Sequence, residues 1–307
     1  MATKLQMMSE LAAQTTERLT QSKENWTGFL DSAAWLYKYP FHEQVLIHAQ
    51  RPDATACAPI ELWNNAFKRW VNKGAKGIAI IDDSGQKPAL RYVFDVSDTN
   101  TRYNVPFSLW QTRPEYEAQI IEELQNHFGD IGVEDADFSS AVLGIAINAV
   151  SDNYDDYKNE LLKAAGNSAL ADMSDDEISS TFMVLLMTSV AHTVFVRLGI
   201  DAAAIFRADE YDSISLFNSP DTIAQLGAAT SDISEMVLRQ IERSVRSMER
   251  QERDTLAKSQ QVLQNEDRKN ERSVEHGTQL QAERGLPDSR YRDGHALSLI
   301  HISEPTR

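Results

Sequence analysis

The 307-residue sequence holds a single cysteine, Cys57. A disulfide framework and a cysteine-rich zinc module are therefore excluded, packing has to supply the stability, and a reducing, cytoplasmic compartment is expected. Long apolar runs are missing as well. The longest uncharged apolar segment, 181–196, has 16 residues and includes Thr181, Thr188, Ser189, His192 and Thr193. A bilayer span needs about 20 predominantly apolar residues, so this stretch reads as a buried helix and no membrane association is expected. The N-terminus, MATKLQMMSELAAQTTERL, is amphipathic and lacks the continuous apolar core of an export signal. Cations are in deficit: 30 Lys and Arg against 46 Asp and Glu leave a net charge of −16, which rules out a protein that coats nucleic acid along its whole surface. Neither G-x-x-x-x-G-K-[ST] nor G-x-G-x-x-G occurs, so nucleotide hydrolysis and dinucleotide binding have no motif behind them, and no cofactor is expected.

What is present is an ordinary globular composition, 42% apolar and 25% charged, with length for about two domains. The acidity is regional. Residues 23–91 carry nine cations and seven anions, whereas residues 92–230 carry six cations and 23 anions. Apolar residues at three- and four-residue spacing, from Trp26 to Tyr37, predict a helix, and a second is predicted over 42–50, ended by Arg51-Pro52. A short helix is predicted over 63–70, a turn at Asn72-Lys73-Gly74, and a hairpin from 77–81 and 90–95. Helices are then predicted over 115–128, 139–150, 154–165, 174–198 and 235–258. The fourth of these opens with a capping box, Ser174-Asp-Asp-Glu177, and stops at Gly199. The fold class is accordingly α+β: an N-terminal helix over 1–22, a small helical and β-hairpin domain over 23–113, and a mainly α-helical acidic domain over 114–258. Residues 259–296, polar and without a periodic apolar face, read as a disordered linker.

The densest basic feature is Lys68-Arg69-Trp70-Val71-Asn72-Lys73-Gly74-Ala75-Lys76-Gly77, with four cations and no anion, close to Trp63. Cations neutralise phosphates, aromatic faces stack on unpaired bases and glycines admit the strand to the backbone, so the mixture suits single-stranded nucleic acid. A solvated turn with Trp63 and Trp70 in the core fits the same residues. Cys57, between two alanines and without an electropositive neighbour, reads as a structural thiol. The carboxylates at 152, 155, 156, 172 and 175–177 lack the spacing of an EF-hand loop and suit helix starts and a solvated face.

Trp26 to Asp95 resembles the N-terminal single-stranded-DNA-binding domain of the ArdC-type antirestriction proteins of conjugative plasmids, found also at the head of large polyvalent proteins of mobile elements. The resemblance lies in Trp26-x-x-Phe-Leu30, Tyr39-x-Phe41 with Gln44 and Leu46-Ile47, Gln50-Arg51-Pro52-Asp53-Ala54-Thr55, Trp63, Arg69-x-Val71-x-Lys73-Gly74-x-Lys76-Gly77-Ile78, and Phe94-Asp95-Val96. Pro40 and His42-Glu43 depart from the pattern of the second block. The resemblance implies a domain that holds single-stranded DNA with Lys68, Arg69, Lys73, Lys76 and Arg51 on phosphates. Trp63, Trp70 and Tyr37 are its candidate stacking surfaces, and Gln44, Gly74 and Gly77 complete the candidate site. ArdC-type proteins continue into a zinc peptidase-like domain bearing H-E-x-x-H. Here the comparable helix offers only His192, followed by Thr193-Val194-Phe195-Val196, so a hydrogen-bonded core histidine is expected and no metal.

The last eleven residues, LSLIHISEPTR (297–307), resemble the in-frame translation of a transposon-type sequencing adapter. The reading frame is expected to be interrupted near Ala296, which makes the chain the non-catalytic N-terminal part of a mobile-element DNA-processing protein. Two alternatives remain at the level of sequence. The acidic segment 92–230 would serve as a protein-interaction module, in one form a mimic of DNA, or the helical half would be an inactive peptidase-like scaffold.

Overall fold

The computed structural model describes residues 2–83, 85–101, 107–133 and 136–283, with side chains up to 265 and at 268. The eleven-residue C-terminal peptide and the linker beyond 283 lie outside the described residues. Helices α1 (Lys4–Leu19), α2 (Lys23–Trp35) and α3 (Phe41–Gln50) come first. A β-rich segment follows, with β1 (Cys57–Ala58), α4 (Ile60–Asn65), β2 (Arg69–Val71), β3 (Ile78–Asp82), β4 (Ala89–Asp95) and β5 (Thr99–Thr101). The rest is helical: α5 (Pro114–Phe128), α6 (Phe138–Ala164), α7 (Asp175–Leu198) and α8 (Pro220–Glu283). The α+β class is as expected. Antiparallel strands run in the order β1-β4-β3, with Ile80 opposite Arg91 and Cys57 opposite Asp95, while β2 and β5 form a separate antiparallel pair.

The described chain divides into a compact unit over 1–249 and a second over 250–307. Within the first, one apolar core runs through the boundary expected at 113/114, because α2 is a core helix of the helical half. Trp26, Phe29, Leu30 and Ala33 lie on its buried stripe together with Ile120 of α5, Val142 of α6, Leu186 of α7 and Leu238 of α8. The Trp26 indole Nε1–H donates to Ser189 Oγ of α7 at 3.0 Å. A smaller core of Leu36, Leu46, Ile47, Ile78, Ile80 and Val93 joins α3 to the sheet.

Helix α7 starts and stops as its sequence dictates. Ser174 Oγ accepts from Glu177 N, Glu177 Oε2 accepts from Ser174 N at 2.9 Å, and Gly199 closes the helix at φ 77°. By length and composition this helix could cross a membrane, yet 67% of its most apolar window is buried inside the protein. Three helices differ from expectation in their bounds. Residues 138–164 form one helix, not two, because Ser151-Asp-Asn153 contains no breaker and Tyr154 is anchored by its hydroxyl to Ser179 O at 2.7 Å. Trp70 belongs to a strand: α4 ends at Asn65, Lys68 turns the chain at φ 53°, and Arg69–Val71 pairs with Thr99–Thr101.

Helix α8 begins at Pro220, not 235, with Pro at the first helical position and Ser219 Oγ accepting from Thr222 N. It continues to Glu283, past the expected end near 258, because residues 259–276 contain neither Gly nor Pro and many strong helix formers; residues 259–265 are exposed. Its early turns were illegible because Gly227-Ala-Ala-Thr-Ser231 lacks large apolar residues. A Cβ at Gly227 would come within 2.3 Å of the Phe41 ring of α3. Gly227→Ala is therefore expected to destabilise the protein by about 1–3 kcal/mol despite the helix propensity gained, read as a lower urea midpoint.

Asp95, 2% exposed, ties the segment after α3 to the end of β4. Its Oδ2 accepts from Thr55 N (2.8 Å) and Ala56 N (3.0 Å), and its Oδ1 from Ser97 N (2.9 Å) and Ser97 Oγ (2.6 Å). Burial alone would raise the carboxyl pKa, but these hydrogen bonds outweigh it and hold the group below its ordinary 3.8. A depressed folded-state pKa gives stability that is complete above about pH 4 and lost as pH falls through the folded value. Asp95→Asn presents an NH2 to donors and is expected to cost about 2–3 kcal/mol at pH 7. Urea melts at pH 7 and pH 3 should show the wild-type advantage shrinking at the lower pH.

Candidate nucleic-acid interface

The turn between β2 and β3 is built from two backbone requirements. Gly74 sits at φ 89° with open space around it, closing the Asn72 O to Ala75 N turn at 3.0 Å, and Asn72 N donates to Asp98 O at 2.8 Å. Lys68, at the other end of β2, is the one described non-glycine residue with positive φ. Such a residue costs on the order of 1 kcal/mol, supplied here by the β2–β5 pairing and the packing of Trp63. Lys68, Lys73 and Lys76 are all exposed, and among the described residues none of the three meets a hydrogen-bond acceptor or a carboxylate. Trp70, on the strand between them, is partly exposed.

The other expected contacts are committed to the fold. Arg51 bridges to Asp98 Oδ2 at 2.5 Å and donates to Ser97 Oγ at 2.8 Å. Arg69 donates through Nε to Thr99 Oγ1 (2.7 Å) and through Nη2 to Thr99 O (3.0 Å), which holds it along β5. Trp63 is 1% exposed, with its Nε1–H on Phe94 O at 2.9 Å, so its faces cannot receive a stacked base. Tyr37, 4% exposed, accepts from Trp110 Nε1 (3.0 Å) and donates to Glu242 Oε2 (2.8 Å). Gln44 is buried and donates to Leu36 O. At Gly77 a Cβ would lie 3.1 Å from the Phe94 ring, so its smallness serves sheet packing. The expected roles of Trp63, Tyr37 and Gln44 are therefore corrected: core packing claims all three. Lys73, Lys76 and Gly74 remain on the exposed turn, with the partly exposed Trp70 on β2 and the exposed Lys68 at the far end of that strand.

Cys57 is half-buried on β1, and burial pushes its thiol up to about 12, the condition of an inert structural thiol. His192 is a core histidine, as read from sequence: Nδ1 is 2.8 Å from Tyr211 OH and Nε2 2.8 Å from Asp31 Oδ1. Among the described residues no group of three or more His, Cys, Asp or Glu could hold a metal ion.

A second feature was not visible in sequence. A cleft of about 540 Å³ opens beside Tyr37, bounded by residues from α2, α4, α7, α8 and the segment 107–110. Arg197 of α7, 4% exposed, is its innermost charge. Its guanidinium carbon lies 3.7 Å from the Trp110 ring centroid and 5.1 Å from that of Trp35, and its Nη2 donates to Trp110 O at 2.9 Å. At the mouth, Lys38 pairs with Glu242 (2.6 Å), and Arg246 lies 3.9 Å from Glu242 and 3.7 Å from Glu249. These residues come from four distant stretches of the chain, so only tertiary structure assembles them. No family model, curated protein or solved structure matches the chain.

Proposed function

We propose that the chain binds single-stranded DNA, with little sequence preference, through the turn between β2 and β3, as the non-catalytic DNA-binding part of a mobile-element DNA-processing protein. The observation that carries this reading is Lys68, Lys73 and Lys76: three exposed cations without an acceptor among the described residues, on either side of a partly exposed tryptophan along the chain, in a protein of net charge −16. Cations left unpaired among so many carboxylates are available to phosphates, and a compact basic turn concentrates the attraction that the rest of the surface opposes. Trp70, on the strand that leads into the turn, supplies a partly exposed indole. The resemblance of Trp26 to Asp95 to the ArdC-type domain supports the same ligand. Fluorescence anisotropy of labelled oligothymidylate with the full chain tests it: salt-sensitive binding is expected, and absence of binding at low salt refutes it.

A further inference from the structure

We propose that the cleft beside Tyr37 is a second binding site, for a nucleotide-class ligand: a planar aromatic ring carrying a phosphate. Arg197 has five N–H donors, and among the described residues the one acceptor it bonds is Trp110 O. The indoles of Trp110 and Trp35 lie near its faces, so its in-plane edge is where a ligand can bond. None of its nitrogens is both sealed from solvent and unpaired, and the residue lines the cleft, so its unused donors stay within reach of solvent there. A guanidinium edge presented in this way matches the paired oxygens of a phosphate or carboxylate.

Charge chooses between those two anions. Lys38, Arg197 and Arg246 line the cleft against one carboxylate, Glu242. Glu249 lies 3.7 Å from Arg246 at the mouth, so the cations there exceed the carboxylates by one; the attraction scales with ligand charge and favours a phosphate monoester, about −1.5 to −2 at neutral pH, over the single charge of a carboxylate. The rest of the wall selects the ligand's other half. Trp63, Phe67 and Phe107 form a cluster with ring centroids 5.1–5.4 Å apart, and Phe67 is 40% exposed. A planar heteroaromatic ring packs against such a surface, and about 540 Å³ lies within the range of small-molecule sites. A free mononucleotide and the phosphorylated end of a DNA strand share this chemistry. The site does not depend on strand binding at the lysine turn.

Calorimetric titration of the full chain with thymidine monophosphate, thymidine and inorganic phosphate tests the assignment. Thymidine monophosphate should bind at one site, with thymidine and phosphate each at least about tenfold weaker. Arg197→Gln should weaken the nucleotide by about tenfold or more. Because Arg197 is buried, Lys38→Glu at the exposed mouth is the companion variant and should weaken it similarly while circular dichroism stays unchanged. Reversal of Lys68, Lys73 and Lys76 should leave nucleotide affinity as it was, which separates this site from the turn. Competition by 5′-phosphorylated oligothymidylate would identify a strand end as the ligand; no competition would identify the free nucleotide. No heat with thymidine monophosphate, equal affinity for thymidine, or indifference to Lys38→Glu in the folded protein would overturn the proposal.

Discussion

A chain ended at residue 113 is expected not to fold. The first 113 residues contain α1 to α4 and all five strands, which on paper make a small independent domain. Their largest buried side chains nevertheless belong to a core completed by later helices. Trp26, Phe29 and Leu30 are each at most 1% exposed, and all share a cluster with Leu185, Leu186 and Val190 of α7 and Ile233 and Leu238 of α8. Removing those helices would expose three large apolar side chains, at about 1.5–3 kcal/mol each, and Ala33, Tyr37, Phe41 and Val45 beside them. The sum reaches the whole stability of an ordinary domain, about 5–15 kcal/mol. The Trp26–Ser189, Tyr37–Glu242 and Ser231–Tyr39 hydrogen bonds would be lost as well. Circular dichroism melts and limited proteolysis of chains ended at 113 and at 249 measure this. A cooperative thermal transition is expected for the longer chain alone, and one in the shorter chain would show that α2 does not need α7.

The second large effect concerns binding. Lys68→Glu, Lys73→Glu and Lys76→Glu made together should lower affinity for oligothymidylate by about 100-fold at 0.1 M salt. For single strands each neutralised phosphate contributes about 0.7 to the slope of log affinity against log salt, so three lysines account for about 2. At 0.1 M that slope corresponds to roughly two decades of affinity. The fold should survive, because the three side chains are exposed and none has a structural partner among the described residues. Unchanged affinity in a variant with a wild-type melt would remove the turn from the interface.

Local signals made part of the fold legible. The capping box at Ser174, the stop at Gly199, the turn at Gly74 and the hairpin of β3 and β4 each follow from chemistry within a few residues, and each appears where expected. Long-range packing hid the rest. Trp26 lies on a helical stripe that says "core" but not which core, and its partner Ser189 is 163 residues away. Tyr37 and Trp63 have the residue type a stacking platform needs, yet their polar atoms are used by Glu242 and Phe94 and their rings are covered. Arg51 and Arg69 are cations whose partners, Asp98 and Thr99, sit on an adjoining segment.

Several residues of the sequence blocks between Tyr39 and Val96 are fold-determining contacts. Gln50 completes the edge of β3 by bonding both Ala79 N (3.0 Å) and Ala79 O (2.8 Å), Asp95 holds the 54–56 segment, and Glu43, at a departure from the pattern, pairs with Arg91 at 2.6 Å. A sequence pattern of this kind records a way of packing more directly than a ligand. Arg197 is the complementary case: a lone arginine at the end of an apolar helix carries no local sign that two indoles from residues 35 and 110 will stack on it.

The salt dependence of oligothymidylate binding, measured by anisotropy for the full chain and for the triple-lysine reversal side by side, tests the central claim most directly. The account predicts a wild-type slope steeper than the variant's by about 2 in log affinity per log salt. Equal slopes, or a wild type that does not bind at low salt, would contradict it.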